Sequence, residues 1–308
     1  MHASRPLNKI MLRLANQTNW AHHLVQWKKV LECLSHLDTQ EGIPLCGYLD
    51  EATVDMMISK RFIGFLHHVP VINYDKMRGL KYFINGDFWL AHHRRCLGLF
   101  TLTKYTADYL KRLTNVPIQA LTYPIIRPPV ALFEWDKFIH NKNRSVIFVG
   151  GFLRRFTDFL AVVSHVIPKK VLMMRCYLES GIRPTEDIDK IYYLDAGAYE
   201  DMLSMNIIFS SYHDVAVSNT IMECINSNTP LLTNRLPASE EYLGTNYPGF
   251  YDDILDACDL INDLGRIKAA HDYLRHMDKT RFSLLNFVRT FEQSQIYNDL
   301  PFIEKAFV

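Results

Sequence analysis

Two arginines, Arg154 and Arg155, come directly after the apolar segment VIFVGG at residues 146–151. This segment predicts a strand that ends in a Gly-Gly turn, and glycines such as Gly151 let a backbone approach a ligand closely. Arginine offers fixed pairs of donors that match the oxygens of a phosphate group. The pattern therefore indicates a phosphate-binding turn. The alternative at this point is a tight turn followed by two solvated arginines.

A second candidate phosphate site is SNTIMECINSN at residues 218–228, which predicts a helix that follows a strand. Ser218, Asn219 and Thr220 are all good N-cap residues, and Glu223 follows Thr220 at capping-box spacing. A helix N-terminus attracts anions through its amides and its dipole. Glu223, one turn into the helix, is placed to accept a hydrogen bond from a ribose hydroxyl. An ordinary capping box explains these residues equally well.

Acid–base chemistry is suggested by the segment GFLHHVP at residues 64–70, where a predicted strand delivers two histidines to its end. Histidine is the commonest general base near neutral pH, so His67 is a candidate. The chain has 13 histidines, however, and a structural or exposed role is more common for any one pair. Asp50, after the apolar segment 43–49, is a second acid–base candidate.

A metal site is not expected. Asp187 and Asp189 form an Asp-x-Asp pair that could hold a divalent cation and a diphosphate, but they lie in a polar loop after Pro184. We interpret this pair as solvated. The six cysteines include no CxxC pair, so their spacing is not that of a zinc site. They indicate free thiols in a reducing compartment.

Composition limits the class of protein. The 308 residues are 48% hydrophobic and 22% charged, as in a soluble globular protein with one large or two ordinary domains. Lys plus Arg is 34 and Asp plus Glu is 33, so a basic face for nucleic acid is not indicated. We find no uninterrupted run of 18 apolar residues and no signal-type segment. We therefore expect a cytoplasmic protein without a membrane span, whose mature form is the whole chain.

The elements that must position these residues alternate along the chain. Strands are predicted at 43–49, 62–66, 96–102, 118–123, 146–151, 171–177, 191–195, 206–211 and 229–234. Helices are predicted at 17–37, 104–113, 199–205 and 218–228, and the chain from about 253 is mostly helical. This alternation implies parallel sheets with helices on both faces. Three prolines at 124–129 break the pattern and suggest a hinge between two α/β domains.

Three segments resemble glycosyltransferases with the GT-B fold, and more closely a group found in bacteria and in large DNA viruses such as the algal chloroviruses. FIGFLHHVP at 62–70 resembles that group's GFIHNPP, and CLGLFTLTKYTADYL at 96–110 resembles its C-x-GLFTLS-x-Y. NTIMECINSNTPLLTNRLPASEEYLGTNYP at 219–248 resembles NAVIECI-x-x-NTPLLVNPLPAVVEYLG-x-x-YP and is the most specific. The likeness covers most of the chain from about residue 43.

The resemblance implies an α/β chain of two Rossmann-like domains, with a cleft between them and a C-terminal helix that crosses back. The expected division is an N-terminal acceptor-side domain, a linker, a nucleotide-sugar-binding domain and a returning tail helix. Their predicted bounds are 1–125, 126–144, 145–278 and 279–308.

The resemblance also implies an activity. A sugar would move from a nucleotide-diphosphate donor to a hydroxyl of a glycan or glycoprotein acceptor. A UDP-sugar is favoured as the donor, with UDP-xylose among the options. The nucleotide sugar is a co-substrate, and no metal or other cofactor is required. The protein would act in the cytoplasm, or in the host cytoplasm if it is viral.

The resemblance also implies a role for each residue of this chain that matches a motif of the family. The donor-binding residues would be Gly151, Arg154, Arg155, Tyr199, Ser218, Asn219, Thr220 and Glu223. The two arginines would neutralise the diphosphate, Glu223 would hold the ribose, and Tyr199 would lie near the base. Either His67 or Asp50 would be the catalytic base that takes the acceptor proton.

Two departures from the family pattern matter. The retaining pattern Glu-x7-Glu is absent, because Val215 stands eight residues before Glu223, with Asp214 one residue further back. This favours an inverting reaction, unless Asp214 substitutes. The group's His-Asn is His67-His68 here, which leaves the geometry of that loop open.

Two other functions fit the same fold. A nucleotide-sugar epimerase would need acid–base groups on both faces of the sugar, and only one clear set is present. A catalytically silent subunit that binds a sugar nucleotide or a glycan would bind the donor, yet ignore substitution of His67 and Asp50.

Overall fold

A computed structural model describes the chain at residues 10–13, 22–38, 42–51, 60–70, 79–172, 188–191 and 194–301. Contacts divide the chain into two compact units: Met1–Ile126 with Thr280–Val308, and Arg127–Lys279. Asp187 lies outside the described residues, as do parts of the strands predicted at 171–177 and 191–195. Each unit is a parallel sheet with packed helices.

The first unit has, in its described residues, a five-stranded parallel sheet whose spatial order follows the chain. Its strands are β1 (Ile10–Arg13), β2 (Ile43–Cys46), β3 (Phe62–Leu66), β4 (Cys96–Thr101) and β5 (Ile118–Ala120). All five residues of β3 are buried, so this strand shows no alternation of buried and exposed positions. That is the pattern of a parallel strand covered on both faces.

Helices of the first unit connect these strands. The α-helices before β5 are His22–Glu32, Leu80–Asn85, Asp87–His92 and Lys104–Leu110. Short 3₁₀ helices lie at Ser35–Leu37, Leu49–Glu51 and His93–Arg95. Thr103 caps the fourth helix, because its hydroxyl accepts from the amide of Thr106 at 3.2 Å.

The C-terminal segment packs on the first unit. It contains the 3₁₀ helix Thr280–Phe282 and the α-helices Leu284–Glu292 and Gln295–Asn298. Phe291 is fully buried, and its ring centroid lies 5.0 Å from that of Phe100 on β4. A Cβ added at Gly98 would lie 2.4 Å from Ile296, so glycine permits this close approach. The segment therefore completes the core of the first unit.

The second unit has, in its described residues, a six-stranded parallel sheet in the order β11-β10-β9-β6-β7-β8. These strands are β6 (Val146–Val149), β7 (Lys169–Leu172), β8 (Asp189–Ile191), β9 (Ile207–Ser210), β10 (Leu231–Asn234) and β11 (Phe250–Tyr251). From β6 the chain adds β7 and β8 on one side of the sheet, and then β9, β10 and β11 on the other side of β6. The carboxyl ends of β6 and β9 therefore meet at a topological switch point, where ligands bind in sheets of this kind.

The helices of the second unit cover this sheet. In the described part of this unit they are Trp135–His140, Phe156–Ala161, Ala196–Met205, Asn219–Ser227, Pro237–Leu243, Ile254–Asn262 and Leu264–His276. The segment predicted as a linker, 126–144, contains the first of them. Phe133 and Phe138 of that segment are buried in the core of the second unit. None of the helices in the described part of the chain is both long and apolar enough to cross a membrane.

Candidate functional site

The turn after β6 has the geometry that the Gly-Gly pattern suggested. Gly150 has φ +86°, a region that favours glycine. The next four residues form a turn, which the amide of Arg154 closes by donating to the carbonyl of Gly151 at 3.1 Å. Leu153 within that turn has φ +59°, which is unusual for a bulky side chain. The turn aims the Arg154 side chain back across the end of the sheet.

Arg154 is held at the switch point by contacts with groups from both sides of it. Its Nε donates to the carbonyl of Val149 at 3.2 Å. Its Nη2 donates to Ser218 Oγ at 3.2 Å and to Thr220 Oγ1 at 3.3 Å. Its guanidinium carbon lies 3.9 Å from the ring centroid of Tyr212. These four partners are neutral, so these contacts orient the guanidinium without cancelling its charge.

The helix Asn219–Ser227, here called the site helix, begins at this arginine. Ser218 is its N-cap residue but makes no side-chain capping hydrogen bond. Thr220 lies within the first turn of the helix and is not its N-cap residue, so the predicted capping box of Thr220 with Glu223 is wrong. The hydroxyls of Ser218 and Thr220 accept hydrogen bonds from Arg154 instead. The site helix is nine residues long and presents its N-terminal amides beside a guanidinium. Both features favour a bound anion.

Glu223 pairs with the other predicted site residue on a neighbouring helix. The hydroxyl of Tyr199 donates to Glu223 Oε2 at 2.6 Å. Burial and the Glu223 carboxylate raise the pKa of the Tyr199 hydroxyl well above its ordinary value, while the charge of Arg154 lowers it. Tyr199 therefore stays a hydrogen-bond donor, and it shares one electrostatic neighbourhood with Glu223 and Arg154.

Arg155 turns to different partners from those of Arg154. Its Nε lies 2.9 Å from Asp158 Oδ2 and donates to Ser211 Oγ at 3.1 Å. The Ser211 hydroxyl in turn donates to the same Asp158 oxygen at 2.5 Å. The charge of Arg155 is thus already paired with a carboxylate. The structure does not bring its side chain into the contacts that Arg154 makes.

Tyr212 is a site residue that sequence reasoning missed. Its hydroxyl lies 2.9 Å from Ser218 Oγ, and its ring lies under the Arg154 guanidinium. Its backbone also forms a bridge with Arg154. An aromatic residue two positions after a buried strand, in NIIFSSY at 206–212, was the available signal. That signal has no specificity without the fold.

Asp50, in the first unit, is the anchor of the turn that follows β3. Its Oδ2 accepts from the amides of His67 and His68 at 2.7 and 2.6 Å. Its side chain has 0% relative exposure, and Oδ1 is buried with no hydrogen-bond partner. A carboxylate in this position holds two backbone amides and is shielded from solvent.

His67 is half-buried beside this anchor. Its Nε2 lies 3.0 Å from the carbonyl oxygen of Gly47. Because a carbonyl only accepts, Nε2 carries the proton of the neutral ring, and the lone pair is on Nδ1. The ring packs on Trp27 and Tyr48, at centroid distances of 4.7 and 4.5 Å. The ring is therefore fixed in the tautomer that makes Nδ1 the accepting nitrogen.

Among the described residues, no group of three or more His, Cys, Asp or Glu residues is arranged to hold a metal ion. Asp187, half of the predicted Asp-x-Asp pair, lies outside those residues. Free thiols are confirmed at Cys33, Cys46, Cys96, Cys224 and Cys258.

Comparison with known proteins gives matches among solved structures. No protein-family model and no curated protein matches the chain. TarM superposes with a TM-score of 0.61 at 12% identity, over 87% of this chain and 58% of TarM. OtsA without ligand gives 0.57 at 12% identity, over 93% of this chain and 80% of OtsA. The pneumococcal O-GlcNAc transferase GtfA, solved with UDP and GlcNAc, gives 0.54 at 12% identity, over 85% of this chain and 58% of GtfA.

These similarities establish the fold. The chain is α/β, with two Rossmann-like units of the GT-B type, which confirms the predicted fold class. The chain spans 58% of the length of TarM. At 12% identity the likeness shows the arrangement of the backbone and no more.

Proposed function

We propose that the protein is a glycosyltransferase that moves a sugar from a nucleotide-diphosphate donor to a hydroxyl of a glycan acceptor. The observation that carries this proposal is the position of Arg154. Its guanidinium lies at the switch point of the second sheet, within 3.3 Å of hydroxyls at the start of the site helix. Glu223 follows one turn later, bonded to Tyr199. A cation beside helix amides suits a diphosphate, and a carboxylate one helical turn further on suits the hydroxyls of a ribose.

A UDP-sugar is the donor that we favour. A point mutant of S. aureus TarM was solved with UDP, α-GlcNAc-glycerol and fondaparinux, and superposes with a TM-score of 0.58 at 13% identity. GtfA was solved with UDP and GlcNAc. Both share the fold of this chain, which supports UDP over other nucleotides. UDP-xylose stays among the options for the sugar.

Each donor-binding residue would meet a defined part of the donor. Arg154 and the amides that begin the site helix would bind the diphosphate oxygens. Glu223 would accept from a ribose hydroxyl, with its carboxylate oriented by the hydrogen bond that Tyr199 donates to Oε2. Displacement at the anomeric carbon leaves negative charge on the diphosphate, which these preorganised donors stabilise. Arg155, paired with Asp158, would support the turn and not touch the donor.

Acceptor activation would fall to the first unit. We propose His67 as the base, since Nδ1 carries the lone pair in the tautomer that Gly47 selects. Asp50 would be a positioning residue, because its carboxylate is shielded and already accepts from two amides. A base must reach the acceptor hydroxyl, and a shielded carboxylate does not.

We also propose that transfer inverts the anomeric centre and requires no metal. Asp214, the acid that could replace the missing residue of the retaining pattern, accepts from the amide of Val215 at 2.8 Å. Trehalose-6-phosphate synthase, with a TM-score of 0.55 and 13% identity, has been studied for glycosyl transfer with retention. The configuration of the product therefore needs direct measurement. A cytoplasmic location and the likeness to enzymes of large DNA viruses rest on the sequence alone.

A transfer assay tests the proposal. The chain is incubated with UDP-glucose, UDP-GlcNAc or UDP-xylose and a panel of glycans, with and without EDTA. Mass spectrometry follows the glycan, and NMR assigns the new anomeric centre. A mass increase of one sugar, lost in Arg154→Ala, is expected. UDP binding without transfer to any glycan, and without sugar epimerisation, would favour the silent subunit.

A further inference from the structure

The carbonyl oxygen of Gly47 accepts two hydrogen bonds from side chains of the first unit. One comes from His67 Nε2 at 3.0 Å, and the other comes from Trp27 Nε1 at 2.6 Å. A carbonyl oxygen has two lone pairs, so it satisfies both donors. Trp27 is 1% exposed. It therefore brings a buried donor to the same oxygen that orients the proposed base.

The helix His22–Glu32 holds the Gly47 peptide through two of its side chains. Trp27 and Leu31 are four residues apart, so they lie on the same face of this helix. Trp27 donates to the Gly47 carbonyl, while a Cβ added at Gly47 would lie 2.2 Å from Cδ1 of Leu31. Glycine permits this close approach of the helix. A packing contact and a hydrogen bond therefore fix the carbonyl together.

Core packing explains the indole ring of Trp27, but it does not explain the choice of acceptor. The ring lies against those of Phe65 and Tyr123, at centroid distances of 4.9 and 5.8 Å. It also contacts the His67 ring at 4.7 Å, with an interplanar angle of 77°. A buried indole N–H needs an acceptor, and any backbone carbonyl can serve. Here Trp27 contacts both the ring of the proposed base and the oxygen to which that ring donates.

We infer that Trp27 is a positioning residue for His67, which keeps the Gly47 carbonyl aligned with Nε2–H and so makes Nδ1 the nitrogen that accepts a proton. This inference rests on the proposed glycosyltransferase function, in which His67 is the base. As the acceptor oxygen bonds to the anomeric carbon, its proton moves to Nδ1, and the diphosphate leaves with the electron pair of the broken bond. Both ring nitrogens then carry a proton, and Nε2–H still donates to Gly47.

The tautomer of His67 can be measured without turnover. Nitrogen NMR of protein labelled with ¹⁵N-histidine distinguishes the two neutral tautomers, because protonated and unprotonated ring nitrogens differ in chemical shift. Spectra are recorded at about pH 8.5, where an ordinary histidine is neutral, and His67→Gln assigns the signals. The wild type should show the Nε2–H tautomer alone. Trp27→Phe keeps an aromatic ring but loses the donor, so it should show a mixture of both tautomers.

Turnover is the second measurement, made with the acceptor that the transfer assay identifies. Trp27→Phe should lower kcat about threefold to tenfold, the equivalent of one neutral hydrogen bond. The dissociation constant of UDP should be unchanged, because the proposed donor site lies in the second unit. A purely structural tryptophan would affect the melting temperature alone. If Trp27→Phe does not fold, benzothienylalanine at position 27 replaces it, since sulfur there removes the N–H and keeps the shape of the ring.

Trp89→Phe is the matched control, since Trp89 is a buried tryptophan of the same unit whose ring lies against Phe83 and His93. It should change neither the His67 signals nor kcat. The inference is overturned if the wild type lacks the Nε2–H tautomer, or if folded Trp27 variants keep that tautomer unmixed. A mixed tautomer with wild-type kcat also overturns it. If the wild type transfers no sugar, the proposed function fails, while the spectra still decide whether Trp27 orients His67.

Discussion

The guanidinium of Arg154 stacks on the ring of Tyr212 at 3.9 Å, and the Tyr212 hydroxyl lies 2.9 Å from Ser218 Oγ. Ser218 Oγ also accepts from Arg154 at 3.2 Å, which closes a triangle of three side chains. The triangle joins the turn after β6, the segment after β9 and the start of the site helix. A cation fixed in this way needs little reorganisation when an anion arrives.

Removal of the Arg154 charge should weaken nucleotide binding. Arg154→Ala is expected to lower UDP affinity by about tenfold to a hundredfold, the range for hydrogen bonds to charged groups. Arg154→Lys keeps the charge but loses the planar fork of donors, so its UDP affinity should lie between those of the wild type and Arg154→Ala. Calorimetric titration with UDP measures the effect. Arg275→Ala, on the exposed surface of the same unit, is the control, and an equal loss there would remove Arg154 from the site.

Tyr212 should act through its ring more than through its hydroxyl. Tyr212→Phe keeps the surface under Arg154 and loses one contact to Ser218, so UDP affinity should fall less than about fivefold. Tyr212→Leu removes the aromatic face and should have the larger effect. A double-mutant cycle with Arg154→Lys measures the coupling between the two side chains. Additive losses in that cycle would contradict the triangle.

Substitutions of Asp50 and of His67 should have different effects on turnover. His67→Ala is expected to reduce kcat about a hundredfold or more, with UDP affinity unchanged, because a base contributes to the chemical step. Asp50→Asn keeps an oxygen for the amides of His67 and His68 and should retain most of the kcat in the folded fraction. Circular dichroism checks folding of both variants. Full activity of His67→Ala, together with an inactive but folded Asp50→Asn, would reverse the two roles.

The sequence was sufficient to indicate the cluster around Arg154. Ligands bind at the carboxyl ends of parallel strands, and the resemblance placed the Gly-Gly turn and the start of the site helix in one donor site. The structure brings Arg154 to Ser218 and Thr220 and pairs Glu223 with Tyr199. Local spacing alone left an ordinary turn and an ordinary capping box open for these residues, and the resemblance joined them in one site.

Other features depend on tertiary contacts that no local pattern encodes. The capping box failed because the helix begins at Asn219, which places Thr220 inside the first turn, where its hydroxyl accepts from Arg154. Asp50 was a candidate base by its position after a strand, but two amides from the end of β3 converge on it. Arg154 and Arg155 differ in their partners, since Arg155 pairs with Asp158 and Arg154 contacts the start of the site helix. Adjacent identical residues could not be distinguished by type.

Stability should fall in alkali because of buried tyrosines in the second unit. Burial raises the pKa of the hydroxyls of Tyr199, Tyr247 and Tyr251 above the ordinary value. Above about pH 10 the unfolded chain loses these protons and the folded chain keeps them. The contribution of these three hydroxyls to the free energy of unfolding is therefore constant below that pH and decreases above it, by up to about 1.4 kcal/mol per pH unit for each tyrosine. Urea titrations between about pH 8 and 11, with tyrosinate absorbance, measure the slope.

Tyr251→Phe is the control for this alkaline effect, since it removes one of the three ionisations. Its slope above about pH 10 should be shallower than that of the wild type. A free energy of unfolding that does not change with pH in this window would show that these hydroxyls ionise equally in both states.

The most direct test of the central claim is thermal unfolding of the wild type and of Arg154→Ala with UDP, GDP, TDP, CMP or ADP, with and without EDTA. A ligand at one hundred times its dissociation constant adds about 2.7 kcal/mol of stability, which shifts the transition of a chain of this size by several degrees. The account predicts such a shift with UDP, unchanged by EDTA and reduced to about half or less in Arg154→Ala at the same UDP concentration. No shift with any nucleotide, or a shift of wild-type size in Arg154→Ala, would contradict it.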